Sequence, residues 1–222
     1  MNQPTKHQLP DSCPTLILAS RSPRRRELLA AAGYQFRVVP PGDDAEDGAR
    51  DGESPAELVA RLARQKAADV VETLVAVGGG PLPGPVDQRR PSVVIGCDTI
   101  VECGGTLIGK PTDADDARGI LGRLSGREHR VLSGLCLWPI EAGGSSTQPR
   151  LAVAETRLRM DELSQWQIDD YLASGQWQGK AGAFGYQDRL GWVHVVEGSE
   201  SNVVGLPMEL LSEMLVKVAR AN

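Results

Sequence analysis

Residues 20–26 read Ser-Arg-Ser-Pro-Arg-Arg-Arg, directly after the apolar run Leu16-Ile17-Leu18-Ala19. Ser22 suits an N-cap and Pro23 the first helical position, where a missing N–H costs nothing. The run therefore predicts a short strand passing straight into a helix that Gly33 stops. Arginines in a first helical turn oppose the helix dipole, which favours anions there. Arg24, Arg25 and Arg26 are then either solvated surface charges or one half of an anion site. In the second reading a phosphate is held by free N–H groups, the Ser20 or Ser22 hydroxyls and guanidinium forks.

Asp98 is the second informative residue, because it interrupts Ser-Val-Val-Ile-Gly-Cys-Asp-Thr-Ile-Val-Glu over 92–102, a run of buried-strand type. A carboxylate on such a strand must be paired, protonated or metal-bound if it is buried. Either it starts a turn just past the strand's usable end, or it is a metal ligand or general base beside the phosphate site. Lys66 lies on a helix after an acidic loop, and Lys110 stands in the rigid sequence Gly109-Lys110-Pro111. Alone, each reads as a solvated lysine; with Arg24 and Arg25 they form a set that can surround a triphosphate. Asp43-Asp44-Ala45-Glu46-Asp47 is either a hydrated turn or a source of carboxylates for Mg²⁺ or Mn²⁺. The stretch Gly182-Ala183-Phe184-Gly185-Tyr186-Gln187 is too rich in glycine for a helix. It suits close backbone approach to a flat ligand, with the Gln187 amide available to a base edge.

These groups need elements to position them. Further strands are expected over 36–39, 92–102, 106–108, 130–138, 151–159 and 192–196, and helices over 55–76, 161–173 and 208–219, with another that Thr112 or Asp113 caps and that reaches Leu124. Ser54 and Glu57 form a capping-box pair for the long helix, whose buried side carries Leu58, Leu62, Val70 and Val71. The helix over 161–173 is expected to bury a Trp/Ile/Tyr/Leu side. Strands and helices alternate, so the expected fold is α/β: a mixed twisted sheet with helices on both faces. Residues 1–14 form a polar extension, 15–222 one domain, and 78–91 a Gly/Pro-rich loop within it.

The 222-residue chain is 41% hydrophobic and 24% charged with a formal net charge of −5, which argues against a protein that coats nucleic acid. A local basic cluster on an acidic chain points instead to a small anionic ligand. No stretch has the length to span a bilayer, and no signal-peptide pattern precedes the first strand. Cys13, Cys97, Cys103 and Cys136 lack metal-site spacing and are too few for a disulfide scaffold, so a reduced cytoplasm is expected.

From about Thr15 onward the chain resembles the Maf family of nucleotide pyrophosphatases. The resemblance rests on Ser20-Arg21-Ser22-Pro23-Arg24-Arg25, Lys66, Cys97-Asp98-Thr99, Gly109-Lys110-Pro111, Lys180 through Gln187, and Gly205-Leu206-Pro207, in that order. It implies two lobes around a nucleotide cleft and hydrolysis of nucleoside triphosphates to monophosphate and pyrophosphate, with a divalent cation (Mg, Mn or Co). By position, Asp98 matches the proton acceptor, and Ser20, Arg25, Lys66 and Lys110 match phosphate-handling residues. Arg24, Thr99 and Gln187 resemble the dTTP/UTP-hydrolysing subgroup. The family's Asp-x-Asp/Glu-Glu stretch is represented by Asp44-Ala45-Glu46-Asp47, whose last carboxylate is Asp, so the metal set is Asp98 with Glu46, Asp47 or both. A nucleoside triphosphate is the implied partner, with neither a nucleic-acid polymer nor a membrane, and a homodimer is the assembly allowed for. The rival readings are an inosine/xanthosine triphosphate pyrophosphatase and a nucleotide-binding regulator of septum formation.

Overall fold

The computed structural model of the protein describes residues 14–76, 91–188 and 190–220. The expected extension over 1–14 and the Gly/Pro-rich loop over 78–91 fall almost wholly outside these residues. β1 (Thr15–Ala19) runs into α1 (Pro23–Ala31), with Ser22 at the N-cap and Pro23 at the first turn. β2 (Phe36–Val38) and a long acidic loop lead to α2 (Pro55–Ala76). There the Ser54 N–H donates to the Glu57 carboxylate at 2.9 Å, and the Glu57 N–H donates to Ser54 Oγ at 3.3 Å. β3 (Ser92–Cys103) turns at Gly104-Gly105 into β4 (Thr106–Ile108), and α3 (Ala114–Leu124) is capped by Asp113. β5 (Glu128–Ile140), β6 (Arg150–Met160), α4 (Gln165–Ala173), β7 (Val193–Glu197), α5 (Glu200–Val204) and α6 (Met208–Ala219) complete the chain.

Two expectations are corrected. The helix expected from 161 begins at Gln165, because Ser164 and Gln167 form a full capping box that fixes the start there. Its buried side is Ile168 and Tyr171, whereas Trp166 is 72% exposed. The glycine-rich stretch after Lys180 is a loop, as expected, with Gly182 in a left-handed conformation inside the Ala181–Ala183 turn and one short 3-10 turn at Tyr186–Asp188. The five-residue α5 was not expected at all, since an element this short shows no periodicity.

The strands form one mixed sheet in the order β2-β1-β3-β5-β6-β7, with β4 also paired to β3. β1 is parallel to β2 and β3, and the remaining pairs are antiparallel. Successive side chains of β3 alternate between faces. Val94 joins Ala63, Ala67, Val70 and Val71 of α2, while Val93 and Ile95 join Leu29 of α1 and Leu211, Met214 and Val218 of α6. The C-terminal half of β3 contributes Val101 and Cys103 to a third cluster with α3, α4 and the 3-10 segment. One face thus carries α2. The other carries two groups of helices, α1/α5/α6 and α3/α4, with a cleft between them. No helix among the described residues is long and apolar enough to cross a membrane.

The register of β3 explains where the cleft opens. β5 occupies one edge of β3 from Ser92 to Glu102. On the other edge β1 reaches only Gly96, and β4 begins at Val101. Cys97 to Ile100 lie in the gap between them, and Asp98, Thr99 and Ile100 are the only β3 residues that are not fully buried.

Two glycines set how closely α2 approaches. A Cβ at Gly96 would collide with the Ala63 carbonyl oxygen, and one at Gly134 with that of Val59. Both obstacles are helix backbone, which cannot step aside as a side chain can. Gly134→Ala is expected to cost about 1–3 kcal/mol through overpacking and to lift α2 away from Asp98. Urea unfolding checks this, and an unchanged midpoint would contradict the packing argument.

Candidate active site

Asp98 and Thr99 sit side by side in the gap but point to opposite faces. Asp98 faces α2, where Lys66 Nζ donates to Asp98 Oδ1 at 2.5 Å and also pairs with Glu46 Oε2 at 3.1 Å. Lys66 and Asp98 are largely buried, with side chains 9% and 13% exposed. Their closeness follows from the two glycines, since α2 could not otherwise bring a lysine this near the strand.

Thr99 faces α1 and α5. Arg25 projects from α1 into this space and is buried. Its Nε donates to the Gly205 carbonyl at 2.8 Å, Nη1 to Ser20 Oγ at 3.3 Å and Nη2 to Thr99 Oγ1 at 3.2 Å. Thr99 Oγ1 in turn lies 2.8 Å from Ser133 Oγ and 3.3 Å from the Gly205 oxygen. The Gly205 carbonyl also accepts from Cys97 Sγ at 3.4 Å. Gly205 has φ +122°, a left-handed conformation that suits glycine and turns its carbonyl into the site.

Arg24, one residue earlier, is half-buried and donates to the Gly179 carbonyl at 3.2 Å. Burial, and then the adjacent Arg25 charge, lower its pKa from the usual guanidinium value. Two neighbouring cations at a helix N-terminus are unfavourable alone and are relieved by an anion. Arg26 is exposed, so for this arginine the solvated reading holds.

The cleft passes from Lys66 and Asp98 over the free edge of β3 to Arg24, Arg25 and Thr99. It then runs on between α5 and the Lys180–Gln187 segment. Its deep wall is apolar, formed by Val101, Val131, Leu158, Met160 and Val193 with buried His129 among them. Burial lowers the His129 pKa, which keeps the ring neutral. Lys110 and Gln187 line the mouth and are exposed.

The sequence-derived set is therefore brought together with two changes. Ser20 does not line the cleft: it is buried beneath α1, where its hydroxyl oxygen accepts from the Ser22 N–H at 3.1 Å and from Arg25. Of the two loop carboxylates, Glu46 reaches Lys66, whereas Asp47 is bound to Arg50 at 2.6 Å and to Gln65, with Arg61 at 3.5 Å. The competition for Asp47 by two arginines and an amide draws it away from the cleft. Ser133 was missed, although a signal existed. Like Asp98, it is a polar residue in an apolar run, Val131-Leu132-Ser133-Gly134-Leu135, and it is fully buried.

A family model described as Maf-like protein matches residues 15–218. The chain belongs to the Maf family. This Maf protein is 44% identical over 97% of its length to the dTTP/UTP pyrophosphatase of Rhodopirellula baltica, covering 88% of that relative. It is 39% identical over 91% of its length to the dTTP/UTP pyrophosphatase of Hahella chejuensis, covering 94% of it. A solved nucleoside-triphosphatase / dITP/XTP pyrophosphatase from Mycobacterium abscessus covers 94% of the chain at 13% identity with a TM-score of 0.37, too low to bear on the argument.

The geometry separates the two loop carboxylates experimentally. Glu46→Gln is expected to lower triphosphate turnover at least about tenfold, since it removes a charge from the Lys66–Asp98 group. Asp47→Asn weakens only contacts to Arg50, Arg61 and Gln65, none of which lines the cleft, and should leave turnover within about twofold. Pyrophosphate release under saturating nucleotide measures both, and the reverse order would exchange their roles.

Proposed function

We propose that this Maf protein hydrolyses dTTP and UTP to the monophosphate and pyrophosphate, with Asp98 as the proton acceptor. The observation that carries the reading is the opposition of two charge environments across the free edge of β3. Arg24 and Arg25 gather positive charge with no carboxylate in hydrogen-bond contact among the described residues, while Asp98 and Glu46 outnumber Lys66. A polyphosphate suits the first environment and a hard cation the second. The relatives' shared activity names the nucleotide.

In this mechanism the triphosphate lies against the N-terminus of α1 under Arg24 and Arg25, with Ser20 holding Arg25 from below. Lys110 at the mouth and Lys66 at the strand neutralise charge that builds on the phosphate oxygens. Water attacks the α-phosphorus, its proton passes to an Asp98 oxygen, and the bond from the α-phosphorus to the bridging oxygen breaks to release pyrophosphate. Among the described residues no group of three or more His, Cys, Asp or Glu forms a ready-made metal cage. Asp98 and Glu46, which already converge on one positive charge, fit an Mg²⁺-type ion that takes its other ligands from phosphate and water. Such a divalent cation (Mg, Mn or Co) would supply further charge neutralisation and a more acidic water.

The three specificity positions have unequal tasks. Thr99 spends its hydroxyl on Arg25, Ser133 and Gly205, and Arg24 spends a donor on the Gly179 carbonyl. Gln187 makes no side-chain hydrogen bond among the described residues, which leaves a donor and an acceptor for the edge of a pyrimidine. The remaining thiols, Cys97, Cys103 and Cys136, are buried and unpaired, which accords with work on free nucleotides in a reduced cytoplasm.

Asp98→Asn is expected to lower turnover at least about 10²-fold while the protein stays folded. Arg25→Ala and Lys110→Ala should each cost about 2–4 kcal/mol in kcat/KM. Substantial turnover by a folded Asn variant in a pyrophosphate-release assay would remove Asp98 from its role.

The wild type should favour dTTP and UTP over dATP, GTP and 7-methyl-GTP by more than about tenfold in kcat/KM. Gln187→Glu, which loses the amide donor, should erode that preference more than it lowers the best rate. Equal hydrolysis of purine and pyrimidine triphosphates would overturn the base assignment while leaving the reaction class intact.

A further inference from the structure

The segment that carries Gln187 is closed by an ion pair for which the phosphate chemistry has no use. Lys180 Nζ donates to both Asp188 oxygens, at 2.7 and 2.5 Å, and Tyr171 of α4 donates its hydroxyl to Asp188 Oδ2 at 2.8 Å. The two charged side chains are only 11% and 10% exposed. Desolvating a charge pair to this depth consumes most of its attraction, and apolar residues of similar volume are often at least as stable. Stability alone is a weak reason to keep it.

What the pair does do is fill the inside of a tight loop. A Cβ at Gly185 would fall 2.5 Å from Lys180 Nζ and 2.7 Å from Asp188 Oδ2, so the backbone has closed onto the pair at that point. Between the two ends Gly182 takes φ +74° and Ala183 φ +53°. The Ala183 conformation is unfavourable for a residue with a side chain and persists only where the surroundings over-determine it.

The loop is also anchored outward. The Gly182 N–H donates to the Gly109 carbonyl at 3.0 Å, beside Lys110, and Arg24 donates to the Gly179 carbonyl. Phe184 and Trp192 pack around Tyr171 with ring centroids 5.8 Å away in both cases.

We propose that Lys180, Asp188 and Tyr171 form a clasp that positions Gln187, the residue preceding Asp188, for base selection. The inference rests on the pyrimidine reading given above. The three are positioning residues: Lys180 and Asp188 satisfy each other, and the Tyr171 hydroxyl is turned to Asp188, neither Tyr171 nor Asp188 lining the cleft. Their effect reaches the base through the placement of the Gln187 amide. A site that discriminates by hydrogen bonds to one base edge needs those groups held to a fraction of an ångström.

The test compares wild type, Lys180→Met/Asp188→Leu, Tyr171→Phe, Lys180→Arg and the single variants Lys180→Met and Asp188→Asn, with kcat and KM measured separately for dTTP, UTP and GTP and a thermal melt for each protein. The double variant replaces both charges together, so no uncompensated ion is left buried. It is expected to melt close to wild type and to keep kcat for dTTP within about threefold. Its KM for dTTP should rise, and its dTTP-to-GTP ratio of kcat/KM should fall at least about tenfold. Tyr171→Phe should lower the ratio in the same direction by about two- to fivefold, and Lys180→Arg should retain most of it.

A folded double variant with the wild-type ratio overturns the clasp. If the double variant does not fold, an undiminished ratio in Tyr171→Phe overturns it instead. A loss of kcat above about 100-fold in Lys180→Met, with Asp188→Asn near wild type, would place Lys180 on the phosphates and also reject the proposal. A wild type without pyrimidine preference removes the base reading and the clasp with it, an outcome distinct from a preference that survives the double replacement.

Discussion

Arg25 carries a full positive charge in a buried place where its hydrogen-bond partners are all uncharged. A guanidinium taken out of water is unfavourable unless it finds acceptors, and here each of its three nitrogens donates once, to a main-chain carbonyl or one of two hydroxyls. That choice has a consequence. Dipoles hold the side chain in place without cancelling its charge, so the field of Arg25 is left for a ligand. Lys66 shows the opposite solution. It is equally buried but sits between two carboxylates, and its surroundings carry a net negative charge. The cleft places these two solutions on opposite sides of one strand edge, and a polyphosphate with a counter-cation complements both. The left-handed turn at Gly205, the buried Ser133 and the close approach of α2 are all conditions for that arrangement.

Much of the fold was legible because its strong signals are local. Ser22-Pro23 marks the start of α1, Ser54 and Glu57 mark that of α2, and Gly104-Gly105 marks the β3–β4 turn; each acts within a few residues. The long strands showed as apolar runs, although β5 continues two residues beyond the expected range at each end, where pairing with β3 and β6 overrides weaker local preference. Asp161 misled as a helix start because just past β6 its N–H is spent on the Trp192 carbonyl, and the reciprocal bonds of Ser164 and Gln167 set the true beginning. Trp166 shows the limit of composition: a large aromatic next to a buried side is not thereby on it.

The candidate site was legible in its charged members and illegible in its register. Asp98 and Lys110 announce themselves as polar residues in apolar or rigid settings. That Asp98 and Thr99 face opposite ways follows from strand alternation. That the edge beside them is free depends on where β1 ends and β4 begins, which only the pairing reveals. Glu46 and Asp47 are adjacent in sequence and chemically alike, and nothing local distinguishes them. Arg50, Arg61 and Gln65 decide the matter by capturing Asp47, an arrangement that exists only once α2 is packed beside the acidic loop.

On the proposed reading the base and the reacting phosphate lie on either side of the same strand edge. Thr99 adjoins Asp98 in the chain, yet its hydroxyl supports Arg25 on the opposite face. Arg24, one residue from Arg25, holds the carbonyl of Gly179 at the root of the loop that bears Gln187. Gly179 and Thr99 are thereby both tied to α1, through Arg24 and Arg25 respectively. The two ties are single hydrogen bonds from adjacent residues of one helix. On the proposed reading a wrong base leaves the Gln187 amide unpaired, on a loop tied to the helix that also carries Arg25.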